Sequence, residues 1–160
     1  MKNRILIVGV LVATSFVSCG LFKKTPVATA TEIQWVDFTA GYASAKESGK
    51  ILLIDVYTDW CGWCKVMDNK TYTDSQVIQT LAKDYVCVKL NPEKAVNYVL
   101  EGKTYSALQI KNILSENRQD GYPTTYFMKP SKAQKVVAVS GYVKAKPFND
   151  YLTTTIPAKL

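Results

Sequence analysis

Apolar positions along the chain fall into runs and stripes whose spacing predicts the elements. Ile5 to Val17 is a largely apolar stretch behind Lys2 and Arg4. Ile33 to Val36 reads as a short first strand. From Thr39 to Ser48 the pattern is helical, with Phe38, Tyr42 and Ala45 on one face and Gly49 as the cap. Ile51 to Tyr57 is a continuous apolar strand broken by Asp55 alone, as in a strand covered on both faces. An acid in such a run needs a reason.

A helix without a breaker follows to about Lys70, then Thr71-Tyr72-Thr73-Asp74 interrupts the chain. Asp74 caps a further helix with Val77, Ile78 and Leu81 on one face. Tyr85 to Leu90 is a strand with Val86 and Val88 on one side and Cys87 on the other. Asn91-Pro92-Glu93 predicts a helix start, Ala95 to Leu100 a helix ended by Gly102, and Tyr105 to Leu114 a second short helix. Thr125 to Met128 and Lys135 to Ser140 form a hairpin across Lys129 to Gln134. Pro147 opens a last helix that turns Phe148, Tyr151 and Leu152 inward. Strands and helices alternating through the first half imply parallel strands, and the hairpin adds an antiparallel edge. The class is α/β, with a central mixed sheet of four to five strands flanked by helices.

The 160 residues suffice for one domain with a real core. Hydrophobic residues at 48% and charged residues at 21% exclude a disordered chain. The net charge of +7 comes from scattered residues, with no run longer than Lys23-Lys24, so no nucleic-acid partner is indicated. Histidine is absent, which removes histidine-based triads, metal sites and thiol activation. The four cysteines, Cys19, Cys61, Cys64 and Cys87, include one close pair, unlike a disulfide scaffold.

Residues 1–18 read as a signal peptide, 19–31 as a tether and 32–160 as the domain. Phe16-Val17-Ser18-Cys19-Gly20 resembles the lipobox of bacterial lipoproteins, although Phe16 replaces the usual leucine. This makes Cys19 the lipidation site and predicts an extracytoplasmic protein, anchored to a bacterial membrane and facing the periplasm. The competing cut after Ala30 lies beyond Lys23-Lys24, too far from the apolar run.

The chemistry centres on Thr58-Asp59-Trp60-Cys61-Gly62-Trp63-Cys64-Lys65. Where a strand turns into a helix, unpaired N–H groups and the macrodipole stabilise a thiolate on the first cysteine. Lys65 adds a positive charge on the first turn. A metal clamp, a structural bridge and a redox pair share this spacing. Zinc wants four soft ligands, and only Cys87 is left to join the pair. The strand–helix junction favours reactivity over a structural bridge.

Asp55 to Lys65, with Met67 to Thr71 and the later Gly121-Tyr122-Pro123-Thr124, resembles the thioredoxin superfamily, in particular bacterial lipoprotein thioredoxin-like proteins with a Trp-Cys-Gly-Trp-Cys-Lys motif. The resemblance spans about Ile33 to Leu152. It implies a thioredoxin-like fold with an extra helical insert before the cis-proline loop. Cys61 is then the exposed nucleophile and Cys64 the buried resolving cysteine. Asp55 is the buried acid that moves the proton of Cys64, Lys89 lies near it, and Pro123 is cis and faces the disulfide. Trp60, Gly62, Trp63, Tyr122 and Thr124 contact substrate, while Cys87 reads as a small buried hydrophobe.

The activity so implied is thiol–disulfide exchange that reduces protein disulfides and is recharged by a membrane electron-donor protein. It needs no cofactor beyond the Cys61–Cys64 disulfide. The lack of histidine between the cysteines leans towards a reductant. A disulfide isomerase or oxidase would use the same two cysteines, and a non-catalytic binding module would use Tyr122-Pro123 and the tryptophans.

Overall fold

The computed structural model describes residues 30–132 and 135–160. The signal peptide, Cys19 and most of the tether lie outside that range. The first strand, β1 (Trp35–Val36), leads into α1 (Phe38–Ser48), whose N-terminus is capped by the Asp37 carboxylate and whose C-terminus is closed by left-handed Gly49. β2 (Ile51–Val56) follows, then α2 (Gly62–Lys70), α3 (Ser75–Asp84) and β3 (Tyr85–Leu90). Asp74 accepts the N–H groups of Gln76 and Val77 to start α3, as its position after a polar break predicts.

The sheet runs β1-β3-β2-β6-β7. β1, β3 and β2 are parallel, and the hairpin of β6 (Thr124–Met128) and β7 (Val136–Ser140) adds two antiparallel strands beside β2. β2 is therefore central, and all six of its residues are buried. Period-two alternation sends Leu52, Ile54 and Val56 to the layer under α1. Leu53 points into the other layer, built with Met67, Leu81, Phe127, Phe148 and Leu152. Asp55 shares the face of Leu53, on the side that α2 covers. On the α1 side, a Cβ on Gly41 would lie 2.3 Å from Val88 Cγ2, so that helix and β3 approach as only glycine permits.

The segment after β3 departs from the expected pair of helices. Asn91-Pro92-Glu93 starts no helix: Asn91 Oδ1 accepts the Glu93 N–H at 3.0 Å, which closes a local turn. Residues 97–100 form a strand, β4 (Asn97–Leu100), paired with β5 (Lys103–Ser106). Tyr98 and Leu100 pack on the core whereas Val99 is exposed, a period of two and not of 3.6. Glu101 and Gly102 carry φ of 47° and 75°, the left-handed pair that a two-residue hairpin turn requires. A helix does follow, α4 (Ala107–Leu114), opened by a capping box between Ser106 and Gln109.

The C-terminal helix begins at α5 (Ala145–Asp150), passes through a π-helical turn at Tyr151–Thr155 and ends in α6 (Ile156–Lys159). Phe148 and Leu152 are buried as expected. Tyr151 is not. It lies on the outer side of the widened turn, 38% exposed.

Candidate active site

Cys61 and Cys64 are joined as a disulfide at the N-terminus of α2. Cys61 is the N-cap residue, and its Sγ accepts the Cys64 N–H at 3.1 Å, so the helix donates one of its unpaired amides to that sulfur. The resemblance implied an exposed Cys61, but it is 4% accessible against 3% for Cys64. Both cysteines are covered in this disulfide-bonded form.

Asp55, one residue before the end of β2, is 2% exposed. Its neighbours in the sheet are Lys89 on β3 and Thr125 on β6. Lys89 Nζ lies 3.3 Å from Asp55 Oδ2, while Oδ1 has no protein partner. Burial pushes the carboxyl from its ordinary 3.8 up to about 6, against the opposing pull of the Lys89 ammonium. The Tyr72 hydroxyl lies nearby, within 3.4 Å of Thr125 Oγ1, and its own pKa is driven well up by burial and by the Asp55 charge.

On β3, Lys89 is paired with Asp55 of β2, one residue beyond the stretch that pairs with β1. Its ammonium pairs with Asp68 of α2 as well as with Asp55. It also sits 4.9–5.7 Å from the ring centres of Tyr57, Trp35 and Tyr72, where the ring faces favour a cation. Asp68 lies four residues after Cys64 on the same helix, a spacing from which it could have been found. The rings come from separate elements and have no common local signal.

The cis-proline loop lies beside the cysteines because β6 runs antiparallel to β2, with Thr124 opposite Val56. The Tyr122–Pro123 peptide bond is cis. Thr124 is buried, and its hydroxyl donates to Gly121 O at 2.7 Å, so it shapes the loop from within. Pro123 O accepts the N–H of Gly141 at 2.7 Å, which ties the loop to the end of β7.

Trp60 meets Tyr122 edge-on at 5.8 Å, and its indole N–H donates to the Glu93 carboxylate at 3.0 Å. Beside it, Asp59 pairs with Lys94 at 2.6 Å and accepts from Asn91 at 3.2 Å. Gly62 has open space around its Cα, and Lys65 is exposed. Trp63 stacks on Tyr142 with ring centres 5.6 Å apart. Glu93 and Tyr142 lie 33 and 79 residues beyond the tryptophans they contact, too far for the motif to reveal. Cys87 is free and buried on β3. Among the described residues, no group of three or more His, Cys, Asp or Glu side chains is arranged to hold a metal.

A thioredoxin-like fold with a Cys-x-x-Cys disulfide heading the helix after its central strand defines a disulfide oxidoreductase. The family model Thioredox_DsbH, described as a protein of unknown function, DUF255, matches residues 25–155, and the chain belongs to that family. A curated relative, the thiol:disulfide interchange protein DsbD of Pseudoalteromonas atlantica, is 31% identical over 100 residues, covering 59% of this chain and 17% of its own length. The chain thus spans about a fifth of the length of the curated relatives it matches.

Among solved structures, a DsbH oxidoreductase superposes with a TM-score of 0.62 at 17% identity, over 86% of this chain and 92% of that one. The C-terminal domain of Neisseria meningitidis DsbD in reduced form gives 0.52 at 22%, over 71% and 89%. At such identities these likenesses bear on the fold, which is thioredoxin-like.

Proposed function

We propose that the chain is a membrane-tethered, extracytoplasmic reductase of protein disulfides, working through Cys61 and Cys64. The observation that carries the reading is the Cys61–Cys64 disulfide at the head of α2, on the face of the sheet that holds the buried carboxylate of Asp55. In the reduced protein, the Cys61 thiolate attacks one sulfur of a substrate disulfide and expels the other as a thiolate, which takes up a proton from water. Cys64 then loses its proton to Asp55 and attacks Cys61 Sγ, releasing the second substrate thiol. Two electrons pass to the substrate, and the Cys61–Cys64 disulfide forms.

Asp55 suits the proton step because its carboxyl titrates at about 6, near neutrality. The cis Tyr122–Pro123 edge and the two tryptophans form the docking side. No cofactor takes part, so the disulfide must be re-reduced by a dithiol partner, which outside the cytoplasm is a membrane electron-donor protein. The curated relatives bear the name thiol:disulfide interchange protein, in keeping with this chemistry. The tether rests on the lipobox-like residues 16–20. Among the described residues, no helix is long and apolar enough to cross a membrane.

Equilibration of the purified protein with glutathione buffers tests the direction. A reductase has a potential near the about −270 mV of reducing thioredoxins, whereas a value near about −120 mV marks an oxidant and overturns the reading. A Cys64→Ser variant should accumulate mixed disulfides through Cys61 in intact cells, and trapping none favours a non-catalytic binding module. Mass analysis of the mature N-terminus should find acylated Cys19, and an unmodified start after Ala30 refutes the anchor.

A further inference from the structure

Trp60 and Trp63 are the two most exposed large hydrophobic side chains among the described residues, at 68% and 62%. They flank Cys61. Rings this size left in water at a reacting centre are an unusual use of apolar surface, which more often marks contact with a partner. Each is fixed by a different second ring. Trp60 packs edge-on against Tyr122, with its indole N–H taken by Glu93. Trp63 lies nearly parallel to Tyr142, at an interplanar angle of 16°.

Tyr142 is held in turn. It follows Gly141, whose φ of 84° turns the chain out of β7 and whose N–H is bound to Pro123 O. The cis-proline therefore connects both ring pairs, through Tyr122 on its N-terminal side and through Gly141-Tyr142 across the hydrogen bond. Trp63 sits between the two cysteines, so the Trp63–Tyr142 stack is continuous with the surface on which any partner cysteine must land. Tyr142 packs against the core behind it, whereas Trp63 remains largely in water.

The geometry points to the Trp63–Tyr142 stack as a specificity subsite, which takes an apolar or aromatic side chain next to the reacting cysteine of an extended polypeptide. This rests on the exchange reaction proposed above and adds which disulfides react fastest. Stacked rings offer a flat apolar platform that rewards a third ring or an aliphatic chain. They would also attract a cation, but the chain carries a net charge of +7, which favours a neutral guest over a basic one. The partner is thus a disulfide in an unfolded or loop segment with an apolar neighbour.

The test uses full-length protein, reduced and freed of reductant, with symmetric disulfides of short peptides. One residue beside the cysteine is varied among Phe, Ala and Lys, before the cysteine in one series and after it in the other. In each reaction, protein dithiol and peptide disulfide give protein disulfide and two peptide thiols. The second-order rate constant should be roughly fivefold to tenfold higher for Phe than for Ala in one of the two series, the upper half of what one aromatic contact gives.

Tyr142→Ala and Trp63→Ala should each bring that ratio below about twofold, and the double variant no lower, since the two rings act together. Tyr142→Phe keeps the platform and should keep the ratio, which loss of folding or of the redox centre would not reproduce. A Phe-to-Ala ratio near one in both series, a ratio that survives both alanine variants, or a preference for Lys overturns the subsite. If the unaltered protein reduces none of the peptides, the exchange reading fails, and the subsite with it.

Discussion

Asp55 Oδ2 lies 3.3 Å from Lys89 Nζ across the parallel β2–β3 pair, among apolar residues and hydroxyls and with Asp68 sharing the same ammonium. The ammonium does not win. Desolvation is the larger influence, and the carboxyl ends up at about 6, not below 3.8. A carboxylate so placed is an expense in stability that the redox centre retains.

The sign follows from proton binding. Between pH 3.8 and 6 the folded state holds the Asp55 proton and the unfolded state does not. Stability is therefore lost as pH rises through that window, by about 3 kcal/mol from this group. Asp55→Asn should stabilise the oxidised protein by roughly 2–3 kcal/mol at pH 7 and flatten the dependence between pH 4 and 6. Urea unfolding of both proteins across this range measures it. Equal stability at pH 7, or a steeper decline in the variant, contradicts burial as the dominant influence.

Lys89 lowers the Asp55 carboxyl from where burial alone would place it. Lys89→Met keeps much of the stem against Trp35, Tyr57 and Tyr72 but removes the charge. The Asp55 pKa should then rise further, as read by carbon-13 titration of its carboxyl in the oxidised protein. The pH optimum of disulfide exchange should move upward with it. A fall in that pKa, or none, would mean that the Lys89 charge does not hold the Asp55 carboxylate down.

Much of this site was legible because it is local. Cys61, Cys64 and Asp55 sit within ten residues of one another, and the apolar run around Asp55 marked the acid as anomalous. Pro123 came only from the resemblance. What was not legible depends on chain crossing. Asp68 and Lys89 meet because α2 lies across β3, and Tyr142 reaches Trp63 because β7 ends beside the cis-proline. The misread stretch, 95–100, illustrates a competition of periods. Gly102 reads as a helix end, but with Glu101 it forms the left-handed pair of a hairpin turn, and Tyr98 and Leu100 then alternate as a strand. The low exposure of Cys61 was not legible either, since residue type does not fix how far neighbouring elements cover a side chain.

Gly41 sits in α1 over β3. Replacing a mid-helix glycine by alanine ordinarily favours the helix by up to about 1 kcal/mol. Here the added Cβ falls 2.3 Å from Val88 Cγ2, and a β-branched side chain has little freedom to rotate away. Overpacking should prevail, with Gly41→Ala destabilising by roughly 1–3 kcal/mol in urea unfolding. Adding Val88→Ala should return part of that loss. If Gly41→Ala alone is neutral or stabilising, the approach of α1 to β3 is looser than described.

Cys87 is the remaining thiol of the folded domain, and its place sets its chemistry. Burial pushes it up to about 12, with Asp55 raising it and Lys50 opposing. At pH 8 only about one molecule in ten thousand then carries the thiolate, the form that alkylating agents and disulfides react with. The reduced protein treated with iodoacetamide at pH 8 should be modified at Cys61 while Cys87 stays free, as peptide mass mapping can show. Cys87 should react once urea opens the core. Labelling of native Cys87 at a rate comparable to Cys61 would give the fold a third accessible thiol and break the separation between reactive pair and packing residue. That separation matters for exchange: a mixed disulfide at Cys61 is resolved cleanly by Cys64 only while no other thiolate competes for it.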